Sequence, residues 1–217
     1  MTTGAMTSSV VRALTMGVLA CFAALAHAGA FEDFFSAIEV DNVSTVKVLL
    51  ERGFDVNAVD EKGQHALYVA LRAESFRVAE VLLAQPGMKP DAGNVAGETP
   101  LMMAALRGHL EWTRKLLARG AAVHKEGWSA IHYAATGPAA EVVRLLLDGG
   151  APADARSPNG STPLMMAARY GSEDSVQLLM ARGADVAVKN DRGLNAADFA
   201  RLGGREALAA RLAPPRR

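Results

Sequence analysis

The sequence predicts an all-α protein, a solenoid of stacked helix-turn-helix units, and three observations predict it. Thr99-Pro100-Leu101-Met102-Met103-Ala104-Ala105-Leu106-Arg107-Gly108 returns 63 residues later as Thr162-Pro163-Leu164-Met165-Met166-Ala167-Ala168-Arg169-Tyr170-Gly171. A glycine opens five comparable stretches, at Gly63, Gly97, Gly127, Gly160 and Gly193, with spacings of 34, 30, 33 and 33 residues. A leucine-rich block trails four of them: Val81-Leu82-Leu83, Lys115-Leu116-Leu117, Arg144-Leu145-Leu146-Leu147 and Gln177-Leu178-Leu179-Met180.

From the start of the chain, Met1 to Arg12 is polar with one positive charge, and Ala13 to Ala26 is apolar. Ala26-His27-Ala28 has the small-x-small pattern of a signal-peptidase site. The apolar run is about 14 residues, short of the roughly 20 that span a bilayer. Residues 1–28 are therefore expected to be a signal peptide cleaved after Ala28, and 29–217 the repeat domain, periplasmic or secreted. No membrane span is expected. Cys21 is the only cysteine. Val18-Leu19-Ala20-Cys21 loosely resembles a lipoprotein box, but Leu19 is unusual there and Phe22 to Ala26 stays apolar beyond it. A lipid anchor at Cys21 is not expected, so the mature domain has no thiol for disulfide or thiolate-metal chemistry.

The chain carries 23 basic and 23 acidic residues among 217. Loss of Arg12 with the leader leaves a net charge of −1, which exerts no pull toward nucleic acid. The first unit is partial and carries only the end of the pattern, from Val46-Lys47-Val48-Leu49-Leu50 to Asp55-Val56-Asn57. In the full units Thr99 and Thr162 are suited to cap a first helix, and Pro100 and Pro163 fill its first position, where a missing N–H costs nothing. Paired alanines such as Ala104-Ala105 and Ala167-Ala168 let helices approach closely. Gly108 and Gly171 end the first helix, and Arg52-Gly53, Arg119-Gly120 and Arg182-Gly183 end the second. Neither helix can bury its apolar stripe alone, so stability must come from stacking.

These residues resemble the ankyrin-repeat family, whose 33-residue repeat carries a T-P-L-H-x-A signature. The resemblance runs from about Phe34 to Leu212. It implies an ankyrin-repeat solenoid with β-turn or hairpin fingers and about five to six repeats including caps. The family histidine is kept as His132 and replaced by Tyr68, Met102, Met165 and Asp198. The Thr-Pro pair becomes His65-Ala66, Ser129-Ala130 and Asn195-Ala196, which is expected to weaken capping by about 1 kcal/mol each. Gly120 to Gly127 is three residues shorter than its counterparts, so the finger at 121–126 should be blunted and leave a notch.

No hydrolase, zinc-protease, phosphate-loop or dinucleotide motif is present. The histidines of the mature chain, His65, His109, His124 and His132, include no i, i+4 metal pair. No catalysis and no cofactor or metal is expected. Val69, Met103, Tyr133, Met166 and Phe199 share the x of the signature and form an apolar ladder, read as core packing over a soft-metal site. Trp112 is expected in the core. Trp128 follows the repeat glycine on a finger and is expected to be largely exposed. It is read either as an interface anchor or as a cover for the shortened finger.

The resemblance implies a non-catalytic scaffold that binds an unidentified protein partner on its concave finger and first-helix face, and the leader implies that it is exported. Trp128, Tyr170, Arg169, Arg107 and Leu106 are the expected centre, being residue types that dominate interfaces and positions where the copies differ. Polar ends predict a monomer. An immunity-type or effector protein, and an accessory or metal-handling role through the methionines, are the alternatives.

Overall fold

The computed structural model describes residues 29–213. The leader at 1–28, with Cys21 and the cleavage site after Ala28, lies outside the described residues. Twelve helices are described: α1 (29–39), α2 (Val43–Glu51), α3 (Ala66–Arg72), α4 (Phe76–Ala84), α5 (Pro100–Arg107), α6 (Leu110–Ala118), α7 (Ala130–Thr136), α8 (Ala140–Asp148), α9 (Pro163–Tyr170), α10 (Glu173–Ala181), α11 (Ala196–Leu202) and α12 (Glu206–Arg211). They form six antiparallel pairs. The first helices α3, α5, α7, α9 and α11 pack side by side in one layer. In the second layer α2 packs on α4, α6 on α8 and α8 on α10.

The first unit is not partial. Residues 29–39 supply its first helix, which buries Phe34, Ala37 and Ile38. Phe34 packs against Phe54 at 4.4 Å and edge-on against Phe35 at 5.6 Å. Glu32 and Asp33 stay exposed on its outer side.

The core follows the repeated pattern. Leu67, Leu101, Ile131 and Leu164 at the signature leucine position are all buried, as are Leu82, Leu116, Leu146 and Leu179 of the trailing blocks. Trp112 is buried, as predicted, and stacks on Phe76 at 5.8 Å.

The caps depend on what replaces the family histidine. Thr99 and Thr162 accept from the amides of Met102 and Met165, while the two methionine sulfurs accept in return from the Thr99 and Thr162 amides at 3.4 Å. Asn195 accepts from the Asp198 amide at 3.1 Å and the Asp198 carboxylate from the Asn195 amide at 3.0 Å. This reciprocal box corrects the expected weakening there, because Asn is as good a cap as Thr. His65 makes no cap bond, and its Nδ1 lies 3.1 Å from the Asn57 carbonyl.

Two glycines that look alike in sequence do different work. Gly108 ends α5 in the left-handed region at φ +74°. Gly171 ends α9 at φ −86°, where any residue fits, but it presses on the previous unit. A β-carbon there would collide with the Ala135 carbonyl oxygen and stand 2.9 Å from Ala167 Cα. Gly137 and Gly203 make the same approach to the carbonyls of Leu106 and Arg169.

The fingers are turns, with a single isolated bridge, Val59 to His65, among the described residues. Asp60, Asn94 and Asn190 each accept two backbone amides through one side-chain oxygen and close the turn to Gly63, Gly97 or Gly193. At the Gly160 turn Ser157 Oγ accepts only the Ser161 amide and donates to Asn159 Oδ1, while the Gly160 amide donates to the Ser157 carbonyl. The short finger puts His124 in that register, and no hydrogen bond closes 124–127. Imidazole cannot make the compact side-chain turn that Asp, Asn and Ser make. A cavity of about 260 Å³ lies between this finger and the Gly97 finger, lined by Asp91, Asn94, Ala122 and Lys125 among others.

Candidate functional site

The residue after each repeat glycine (Gln64, Glu98, Trp128, Ser161, Leu194) leaves its finger beside the first helix of its unit. Trp128 does not stand free. Its ring leans edge-on against His132 at 5.3 Å and against Tyr133 at 6.4 Å, leaving it half-buried rather than largely exposed. The cause is local. The helical positions 132 and 133 put two flat rings under the finger, and burying an indole face on them is more favourable than solvating it.

Around this contact lies an apolar groove of about 210 Å³, lined by Leu106, Trp128, His132, Tyr133, Thr136 and Met166. Three consecutive units contribute. The last turn of α5 gives Leu106, α7 gives the floor, and α9 gives Met166, so the groove exists only in the stack. Of the five predicted residues, the structure gathers Leu106 and Trp128 here. Arg107 is tied backward, donating to the Arg72 carbonyl at 3.0 Å with Glu74 at 3.8 Å. Arg169 lies over the Tyr170 ring at 4.8 Å, and Tyr170 is 53% exposed. These three stand outside the groove lining.

Beside the groove is a carboxylate site that sequence reasoning missed. Glu98 accepts from the Tyr133 hydroxyl at 2.9 Å through Oε1, and from the Tyr68 hydroxyl at 2.9 Å and the Asn94 amide at 2.8 Å through Oε2. Burial opposes its charge, but the donors Asn94, Tyr133 and Tyr68 outweigh burial and hold the carboxyl below its usual range. Burial and the bond to Glu98 push Tyr68 up to about 12 and raise Tyr133 as well. The available signal was that Glu98 sits at a varied finger position and Tyr68 replaces the family histidine. Neither fact says that one reaches the other.

The histidines divide by environment. His132 is fully buried. Its Nδ1 faces the Ser129 amide at 3.3 Å and its Nε2 faces the carbonyls of Ala155 and Ser161 at 3.0 and 3.2 Å. An amide donor opposite Nδ1 assigns the proton to Nε2. Burial lowers its pKa, opposed by these backbone contacts. His109 is half-buried against Phe76 with no hydrogen bond to Nε2, and burial lowers its pKa against the pull of Glu74 at 3.8 Å. Met103 is buried, whereas Met166 shows in the groove, so the ladder does not present a run of sulfurs to solvent. Among the described residues, no three His, Cys, Asp or Glu side chains are grouped to hold a metal, and no helix is long and apolar enough to cross a membrane.

A family model for ankyrin repeats (3 copies) matches residues 34–125 and 101–190. Among curated relatives, an ankyrin repeat and KH domain-containing protein of Caenorhabditis briggsae is 33% identical over 156 residues, 70% of this chain and 6% of that protein. A putative palmitoyltransferase of Danio rerio is 25% identical over 206 residues, 77% of this chain and 32% of that protein. The chain thus spans no more than a third of either relative. A chain from the solved complex of the Bd0816 predatory endopeptidase of Bdellovibrio bacteriovorus with immunity protein Bd3460 matches with a TM-score of 0.69 at 25% identity, covering 82% of this chain and 97% of that one.

Proposed function

This chain belongs to the ankyrin-repeat family, and from that premise we propose that it is an exported, non-catalytic scaffold that binds a protein partner on its finger and first-helix face. The observation that carries the proposal is the groove at Leu106, Trp128, Tyr133 and Met166. It is an apolar concavity rimmed by polar groups on a surface otherwise rich in exposed charges. Tyr170, Arg169 and Arg107 form the outer part of the same face, where exposed aromatic and guanidinium groups add contacts around a buried anchor. The protein acts as a monomer, its end units carrying exposed Glu32, Asp33 and Arg211.

Trp128→Ala is expected to weaken partner binding by about 2 kcal/mol, roughly thirtyfold, with the fold kept and the unfolding midpoint lowered modestly by loss of the ring's packing on His132 and Tyr133. The partner would be recovered on the full chain from an extracytoplasmic extract, and its affinity measured by calorimetry. Equal affinity of wild type, Trp128→Ala and Tyr170→Ala, all folded, would remove this face from the interaction. Export has its own measurement. N-terminal sequencing of the protein from fractionated cells is expected to begin at Gly29, and an intact leader on cytoplasmic material contradicts it.

A second, narrower reading is an immunity-type protein whose partner is a peptidase outside the cytoplasm. The likeness to a chain of the endopeptidase–immunity protein complex favours it, because that match covers nearly the whole of the other chain. A recovered partner whose peptidase activity falls on adding this protein supports it, and a partner without hydrolase activity excludes it.

A further inference from the structure

We propose that the partner presents a basic side chain with an apolar side chain beside it, the cation seating on Glu98 and the apolar group in the groove at Trp128. The proposal rests on the reading of this face as a partner-binding surface and adds the chemistry it selects.

An ionised carboxylate offers about four acceptor sites. In Glu98 three are filled, two on Oε2 and one on Oε1, which leaves one open on the oxygen that Tyr133 holds. All three donors are neutral. They fix the carboxylate and keep it charged, but they do not cancel the charge. Five other carboxylates between units meet cations, Glu39 with Arg72, Glu74 with Arg107, Glu80 with Lys115, Asp148 with Arg182 and Glu173 with Arg211, whereas Asp41, Asp91 and Asp154 accept backbone amides of the next unit. Among the described residues Glu98 makes no ion pair. Lys125, on the next finger, donates to the Gly97 carbonyl at 2.9 Å instead, and Arg72 is engaged with Gln64 and Glu39.

A half-buried carboxylate kept charged by neutral donors offers an incoming cation more attraction than a fully hydrated one. Its geometry is already set by three hydrogen bonds, so a partner's ammonium or guanidinium need not order it.

Tyr133 joins the two halves. Its hydroxyl holds Glu98, and its ring forms a wall of the groove and meets Trp128. The anion and the apolar hollow therefore lie one tyrosine apart, the separation of neighbouring side chains on a peptide. A hollow of about 210 Å³ is of side-chain size. An acidic or phosphorylated segment would place like charge on Glu98, and nucleic acid would do the same.

The test uses a random peptide library displayed on phage and selected on the full chain. Enriched peptides are expected to pair Lys or Arg with a neighbouring Leu, Ile, Met or Phe. Glu98→Gln is expected to weaken such a peptide by about tenfold. Changing the peptide's basic residue to Gln should cost the same on wild type and nothing more on Glu98→Gln. Trp128→Ala should instead remove the preference for the apolar residue.

Because Glu98→Gln also alters the hydrogen bonds, Tyr133→Phe serves as the second variant. It keeps the charge and the ring, and the basic preference should survive. Peptides that need Trp128 but bind wild type and Glu98→Gln alike would overturn the inference and leave the binding face standing. Loss of the basic preference in Tyr133→Phe as well as Glu98→Gln would overturn the charge argument. Peptides indifferent to both Trp128→Ala and Glu98→Gln would overturn the face itself.

Discussion

Gly171→Ala is expected to lower the unfolding free energy by about 3 kcal/mol, a large effect for one methyl group. The backbone at Gly171, with φ −86°, suits alanine, so the cost does not come from conformational freedom. It comes from contact. The added carbon would collide with the Ala135 carbonyl oxygen and crowd Ala167 Cα at 2.9 Å, and neither is the flexible end of a side chain. Relief requires the α9–α10 unit to move away from α7, which opens an interface that buries Ala134, Ala135, Ala167 and Ala168. In a solenoid each unit is held by its neighbours, so one loosened interface frees everything beyond it. Hydrogen exchange in α11 and α12 is then expected to rise more than in α3 and α4.

Gly183→Ala is the matched control. Gly183 has φ +88° with nothing within 4 Å, so alanine there meets backbone strain alone, about 1–2 kcal/mol. Urea denaturation of the three proteins decides the point. A Gly171→Ala protein no less stable than Gly183→Ala would mean that the units are not pressed together as described.

The same residue shows how far the sequence could be read. Gly171 aligns with Gly108, and periodicity marks both as helix ends, which they are. Which one needs a left-handed backbone and which one needs to lack a side chain depends on the neighbouring unit, and repetition does not encode that distance. The first helix was hidden for a different reason. Residues 29–39 carry no Gly-x-Thr-Pro opening and follow an apolar leader, so their pattern merges with it. Trp128 and Leu106 were legible because the copies differ there. Glu98 follows its repeat glycine just as Trp128 does, but its contacts require Tyr68, thirty residues earlier, and Tyr133, thirty-five later, to meet at one point. Only the stacking register brings them there. Arg107 shows the same limit, since its guanidinium meets the Arg72 carbonyl and Glu74 of the preceding unit, contacts that residue type does not announce.

His132→Leu is expected to cost about 3 kcal/mol and to weaken partner binding without touching the partner. Leucine keeps much of the volume but no polar atom. It strands the Ser129 amide and the Ala155 carbonyl, at about 1–3 kcal/mol for each buried group, whereas the Ser161 carbonyl keeps the Ser157 amide. It also removes the ring on which Trp128 leans, so the groove loses its floor. Acid separates the role of the imidazole from that of its bulk. The His132 pKa is lowered in the folded protein, chiefly by burial, so folding favours the neutral ring. Its contribution is complete above the ordinary histidine range, about pH 6.5. It is lost as pH falls toward the depressed folded value, because the unfolded chain takes up the proton first. His109 is shifted in the same direction and adds to the slope. Urea denaturation at successive pH values from about 7 to 5 should therefore show wild type losing stability, and His132→Leu losing less of what remains to it. Parallel pH dependences of the two proteins would show that His132 is not buried as the neutral ring, and with it would go the account of how the repeat's own histidine holds the binding groove in shape.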